Sequence, residues 1–179
     1  LEEFWFGDKT GIDLPGEAVG LRRGPRQWGK RSLASISMGQ EVGVTPLQMV
    51  TAVSAIANGG VLMKPFVVSE IRNAKGQLVA QTMPQAKRRV ISADTARTLT
   101  TLREGVVTNG TGGKAAIPGF RVAGKTGTAQ KVDPRTGAYS STLLVGSFLG
   151  YVPAEDPRLA IVVVIDEPRG EGWGGVVAA

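Results

Sequence analysis

Two apolar runs near the C-terminal end, STLLVGSFLGYV (141–152) and LAIVVVID (159–166), constrain the fold more than any other feature. The second is the stronger strand signal, being rich in β-branched residues. Only the short PAEDP link separates the runs, too little chain for a crossover helix, so they are predicted to pair antiparallel. RVAGKTGTAQ, just upstream, is a third candidate strand, and FVVSEIRNAKGQLVAQ (66–81) reads as a hairpin turning at Asn73 to Gly76.

Helices are predicted between these strands. Over 45–58, Thr45 is an N-cap, Pro46 occupies the first helical position and Gln48 completes a capping box. Val50, Val53 and Ala57 mark its apolar face, and Asn58-Gly59-Gly60 stops it. A second helix starts near Ser92, with Leu99, Leu102 and Val106 as its expected buried stripe and Asn109-Gly110 as its end. Phe4 to Gly7 reads as the last turn of a helix, LPGE (14–17) as a turn, and GWGGVVAA as the start of a terminal helix. Helices around an antiparallel sheet make the predicted class α+β.

Composition removes several chemistries. The 179 residues contain no cysteine and no histidine, which excludes disulfides, thiol nucleophiles, Cys/His zinc sites and a histidine general base. No metal and no cofactor are expected. Apolar residues at 42% and charged residues at 20% are ordinary for a globular chain. No apolar run approaches the ~20 residues of a membrane helix. A start at LEEFWFG without methionine is what a fragment would show. The net charge of +6 is concentrated in LRRGPRQWGKR (21–31). A solvated loop accounts for that segment more readily than a surface for phosphates or acidic polymers. Trp28 is its only aromatic, so nucleic acid is not an expected partner.

The tripeptide Lys-Thr-Gly occurs twice, in FGDKTGIDLPGE (6–17) and in GFRVAGKTGTAQK (119–131). The second also satisfies the phosphate-loop pattern G-x-x-x-x-G-K-[ST], and AIVVVIDE resembles a magnesium-holding strand end. A phosphate loop needs a strand before its first glycine and a helix beginning at the Lys-Thr. Here TGGKAAIP precedes Gly119, while Gly127, Pro134 and Gly137 follow, so nucleotide binding is disfavoured. Read as a strand, the segment turns Thr126 and Thr128 to one face and Lys125 to the other. Gly127 marks a place where a ligand backbone can come close. Two hydroxyls and a cation on an edge strand can hold a carboxylate. A solvated edge strand carrying lysine against edge-to-edge pairing fits the same residues.

Lys125-Thr126-Gly127-Thr128 resembles the KTGT motif of penicillin-binding proteins, in the serine β-lactamase and D,D-peptidase superfamily. The resemblance extends over nearly the whole chain. FGDKTGIDLPGE, SMGQEVGVTPLQM with AIANGG, GTGGKAAIPGFRVAGKTGTAQK, GSFLGYVPAEDPRLAIVVVIDEP and GGVVAA resemble this family in its usual order, and most of all its monofunctional class B members. Those enzymes cross-link peptidoglycan in cell division or elongation, on the extracytoplasmic side of the membrane. The resemblance implies a serine acyl-enzyme mechanism on D-Ala-D-Ala stem peptides, β-lactam binding and cell-wall synthesis partners. Lys125 would set electrostatics and proton traffic. Thr126 and Thr128 would bind the substrate carboxylate, Gly127 would keep the strand accessible, and the Thr128 N–H would form half of an oxyanion hole. Lys9-Thr10-Gly11, in contrast, falls where the family has a loop and is read as scaffold.

Two family motifs are missing. No serine stands three residues before any lysine, and no serine stands two before Asn58, Asn73 or Asn109, so neither S-x-x-K nor S-x-N occurs. Residues 1–179 are therefore expected to be the C-terminal portion of one transpeptidase domain, with the nucleophile in an upstream part. A β-lactam sensor or a non-catalytic peptide-binding relative is the alternative within the superfamily.

Overall fold

The computed structural model describes residues 1–179, which divide into two compact units: Leu1–Ala55 with Val61–Val90, and Ile56–Gly60 with Ile91–Ala179.

The first unit opens on a 3₁₀ turn, Glu2–Phe4, ending in Trp5 and Gly7 at positive φ. A short helix α1 (Ser32–Ser37), unforeseen in the sequence, follows the basic loop. In that loop Trp28 Nε1 donates to the Arg23 carbonyl at 3.0 Å, and Arg22 pairs with Glu2 and Asp8. Helix α2 (Pro46–Ala57) forms as predicted. Its capping box is closed by Thr45 N–H to Gln48 Oε1 (3.0 Å) and Gln48 N–H to Thr45 Oγ1 (3.1 Å). Gln48 is completely buried, and its Nε2 donates to the carbonyls of Trp5, Asp8 and Val19 at 2.9–3.0 Å. One side chain thus caps a helix and ties three loop carbonyls to it, satisfying polar groups that burial would otherwise penalise.

The predicted hairpin is β2 (Glu70–Arg72) and β3 (Leu78–Gln81), turning through Asn73 to Gly76, where Gly76 has φ 77°. A second antiparallel pair joins β1 (Val61–Met63) to β4 (Ala86–Arg89). The apolar pattern of the sequence gave no sign of β4, because AKRR is exposed throughout.

The second unit is built on a three-stranded antiparallel sheet in the order β5-β6-β7, formed by Ala123–Val132, Tyr139–Val152 and Leu159–Asp166. The α+β expectation and the antiparallel link through PAEDP both hold. Helix α3 (Ala93–Thr108) starts at Ser92, whose Oγ accepts the Thr95 N–H at 3.0 Å. Its buried face is not the predicted one. Ala96 and Val107 are buried, Leu99 and Val106 are half-buried, and Leu102 is 64% exposed. The packed stripe runs Ala96, Thr100, Arg103, Val107, at the i, i+4, i+7, i+11 spacing of one helical face. Thr100 Oγ1 pairs with the Tyr151 hydroxyl at 2.8 Å, and Tyr151 itself is 1% exposed. Counting only apolar residues overlooks a face on which a threonine hydroxyl and an arginine stem pack against a tyrosine. Val107, Val122, Phe148 and Ala178 form the small core, with the terminal helix α4 (Gly174–Val177) packed on the sheet.

Candidate active site wall

Residues 117–132 fold as a turn followed by a strand. The Phe120 N–H donates to the Ile117 carbonyl at 3.0 Å around Pro118-Gly119, with Gly119 at φ 83°, and β5 then begins at Ala123. No helix begins at Lys125-Thr126, so the phosphate-loop geometry is not formed.

β5 is an edge strand, paired only with β6, in a register that opposes Lys125 to Leu149, Thr126 to Phe148, Gly127 to Ser147 and Thr128 to Gly146. Alternation places Lys125, Gly127, Leu149 and Ser147 on one face, and Thr126, Thr128, Phe148 and Gly146 on the other. Lys125 is exposed, and its Nζ donates to the Thr126 carbonyl at 2.7 Å. That carbonyl is thus engaged away from β6, and antiparallel alternation turns the Thr128 main chain to the same open side.

The two threonines have different surroundings. Thr126 is 9% exposed and its hydroxyl lies 2.6 Å from that of Thr111. Thr128 is exposed, and its Oγ1 accepts the Gly174 N–H at 3.0 Å. A hydroxyl that accepts a main-chain N–H keeps its own proton to donate elsewhere. Close approach requires the glycines here: a Cβ on Gly174 would lie 2.1 Å from the Gly127 carbonyl oxygen, and one on Gly175 would lie 2.3 Å from that of Thr111. At Gly127 a Cβ would meet Ser147 Oγ at 2.5 Å. Past the motif, Lys131 closes the same strand by binding Asp166 (3.0 Å) and Glu167 (2.6 Å), and the two carboxylates hold the ammonium pKa above its ordinary value.

All four sequence-predicted residues therefore stand on one exposed edge, with the Thr126 side chain turned inward. Thr111, Gly174 and Gly175 complete the arrangement and were not singled out from sequence. Their strings, GTGG and GWGG, are visible there, but nothing in their spacing says that both fold back onto β5.

The other Lys-Thr-Gly has a different environment. Thr10 is 3% exposed, and both its hydroxyl and its N–H donate to Glu17 Oε1 at 2.6 Å, while the Gly11 N–H donates to Oε2 at 3.1 Å. Burial is the largest single influence on the Glu17 carboxyl and pushes its pKa up. The donors from Thr10 and Gly11 together outweigh it and hold the group below its ordinary value. This tripeptide is a carboxylate-bound loop with no strand around it.

No helix is long and apolar enough to cross a membrane, and no group of His, Cys, Asp or Glu is arranged to hold a metal ion. The family described as "Penicillin binding protein transpeptidase domain" matches residues 1–179. Stage V sporulation protein D of Bacillus subtilis is 44% identical, over 100% of this chain and 28% of its own length. Peptidoglycan D,D-transpeptidase FtsI of Escherichia coli is 35% identical, over 98% of this chain and again 28% of its own. Among solved structures, penicillin-binding protein 3 of Mycobacterium tuberculosis, complexed with aztreonam, superposes with a TM-score of 0.89 at 35% identity, covering 97% of this chain and 40% of the other. The chain thus spans under a third of the length of these curated relatives. With the whole chain matched, and an edge strand bearing Lys125-Thr126-Gly127-Thr128 at the sheet margin, this chain belongs to the penicillin-binding protein transpeptidase domain family.

Proposed function

We propose that this chain supplies the KTGT wall of a peptidoglycan D,D-transpeptidase site, with the serine nucleophile contributed by residues outside the 179. The observation that carries the reading is the exposed β5 edge, which offers an ammonium, a hydroxyl and main-chain groups within four consecutive residues. The mechanism is that of the family. The serine hydroxyl adds to the penultimate D-Ala carbonyl, and the terminal D-Ala leaves as an amine carrying a proton. An amine of a neighbouring stem peptide then displaces the serine from the ester. β-Lactam binding belongs to the same reading, and penicillin-binding protein 3 of Mycobacterium tuberculosis has been solved in complex with aztreonam and with ampicillin.

In this reading Lys125 stabilises the incoming carboxylate and takes part in proton transfer. The Thr128 hydroxyl donates to the carboxylate, and its N–H contributes to the oxyanion hole. Thr126 contributes through its main chain, since its hydroxyl is engaged with Thr111. Gly127 leaves the strand open to the acyl chain. The 179 residues alone, lacking S-x-x-K and S-x-N, are inactive; the full-length protein acts on the extracytoplasmic face of the membrane, held by a segment outside this chain.

The test is covalent labelling of the full-length protein by a fluorescent penicillin. Labelling is expected in the wild type, and Lys125→Ala should slow acylation by about two orders of magnitude or more, the range of a lost proton-transfer group or transition-state donor. An unlabelled wild type overturns the reading. Labelling without transpeptidation of stem peptides would move it to a sensor.

A further inference from the structure

We propose that Thr111 and Gly174 are positioning residues that set the carboxylate selectivity of the β5 edge; this rests on the transpeptidase reading above. The two lie on separate segments that converge on one strand. Thr111 stands in the loop after α3, which doubles back so that the Gly112 N–H donates to the Val106 carbonyl at 2.9 Å. Gly174 begins α4. Lys114 joins the two segments by donating from Nζ to the Val176 carbonyl at 3.2 Å.

Each segment fixes one hydroxyl of the motif. Thr111 engages Thr126, which is too buried to find water as a substitute partner. The Gly174 N–H engages a lone pair of Thr128 Oγ1, which anchors that oxygen and leaves its O–H proton to donate away from Gly174. Both contacts depend on glycines at 174 and 175, where a side chain would collide with the Gly127 and Thr111 carbonyls. A neutral group at the carboxylate position would gain little from this orientation. An anion gains most, because hydrogen bonds to charged groups are the stronger ones and fall off steeply with misalignment. Loss of the Thr111 bond should therefore act through Thr126 and the strand edge on anionic ligands specifically.

The experiment uses the full-length protein and compares acylation by benzylpenicillin, with its free carboxylate, against acylation by its methyl ester. Thr111→Val should slow the first about tenfold and the second by less than about twofold, lowering the carboxylate-to-ester ratio. Thr111→Ser, which keeps the hydroxyl, should restore that ratio. Thr111 is itself exposed, so the fold is expected to survive. Thr111→Cys, which retains volume with a weaker hydrogen-bonding group, is measured beside it and should show the same selective loss to a smaller degree. An unchanged ratio in both variants overturns the proposal, as does an equal loss on both substrates or failure of serine to rescue. An unlabelled wild type instead overturns the underlying transpeptidase reading, so the two failures are distinct.

Discussion

Glu17 and Gln48 show how single polar side chains organise loops in the first unit. Glu17 receives the Thr10 hydroxyl, the Thr10 N–H and the Gly11 N–H. Its folded pKa lies below the ordinary 4.5, so its stabilising contribution is complete above that value and fades as pH falls through the lowered one. Glu17→Gln should cost about 1 kcal/mol near neutrality, the value for charge-assisted bonds discounted for partial exposure. Melting temperatures of variant and wild type should converge as the pH falls below the lowered Glu17 pKa; a gap that persists in acid would remove the charge from the explanation. Gln48→Ala is the harsher change, because it strands buried carbonyls on Trp5, Asp8 and Val19 together with the Thr45 N–H. A loss of about 3 kcal/mol in denaturant unfolding is expected, and Gln48→Glu should not rescue it, since a carboxylate cannot donate to carbonyls. The capping role of Gln48 was legible in the T-x-x-Q spacing. Its longer-range role was not, because no local pattern reports that a side-chain amide will meet carbonyls 29 to 43 positions upstream.

At the scale of elements, strands were easier to read than helix faces. LAIVVVID became β7 with the predicted bounds, and the hairpin turned where Asn73 to Gly76 demanded it. The α3 stripe was misplaced because its contact with the sheet is partly polar. Thr100 meets Tyr151, and burial lowers the Arg103 pKa, an effect that the nearby Tyr151 partly offsets. Truncations should expose this difference: Val107→Ala is expected to destabilise by about 1–2 kcal/mol, whereas Leu102→Ala should be nearly neutral in the isolated chain, as judged by thermal unfolding. β5 carries its own packing constraint. A Cβ on Gly124 would lie 2.3 Å from Cζ of Phe148, a ring that is 7% exposed at the core. Gly124→Ala should therefore cost about 1–3 kcal/mol by overpacking, and Phe148→Leu in the same background should recover part of it. A second-site recovery would separate steric conflict from any lost backbone freedom at the glycine. Such an experiment also probes the site, because Gly124 immediately precedes Lys125.

For the whole molecule, the relation to its longer relatives bears on stability. The chain covers 28% of the Bacillus subtilis protein and 40% of the superposed Mycobacterium tuberculosis chain. In the first unit Leu33, Met38 and Val79 are each more than 60% exposed, and in the second Leu102, Phe120, Leu159 and Ile161 are at least half exposed. Single exposed apolar side chains are ordinary, but Leu159 and Ile161 lie two apart on one face of β7, and apolar surface that is contiguous in this way marks a place where another segment can pack. The physical consequence is that the 179 residues should behave differently alone and within the full-length protein. Expressed alone, they should bind a hydrophobic dye such as ANS and unfold with a shallow denaturant dependence, because less surface is newly exposed than a chain of this size should hide. In the full-length protein the same exposed positions should become protected, and substituting Leu159 and Ile161 by threonine should lower its melting temperature while leaving the isolated chain almost unaffected. A sharp, cooperative transition of the isolated 179 residues at micromolar concentration, without dye binding, would show that these surfaces need no cover.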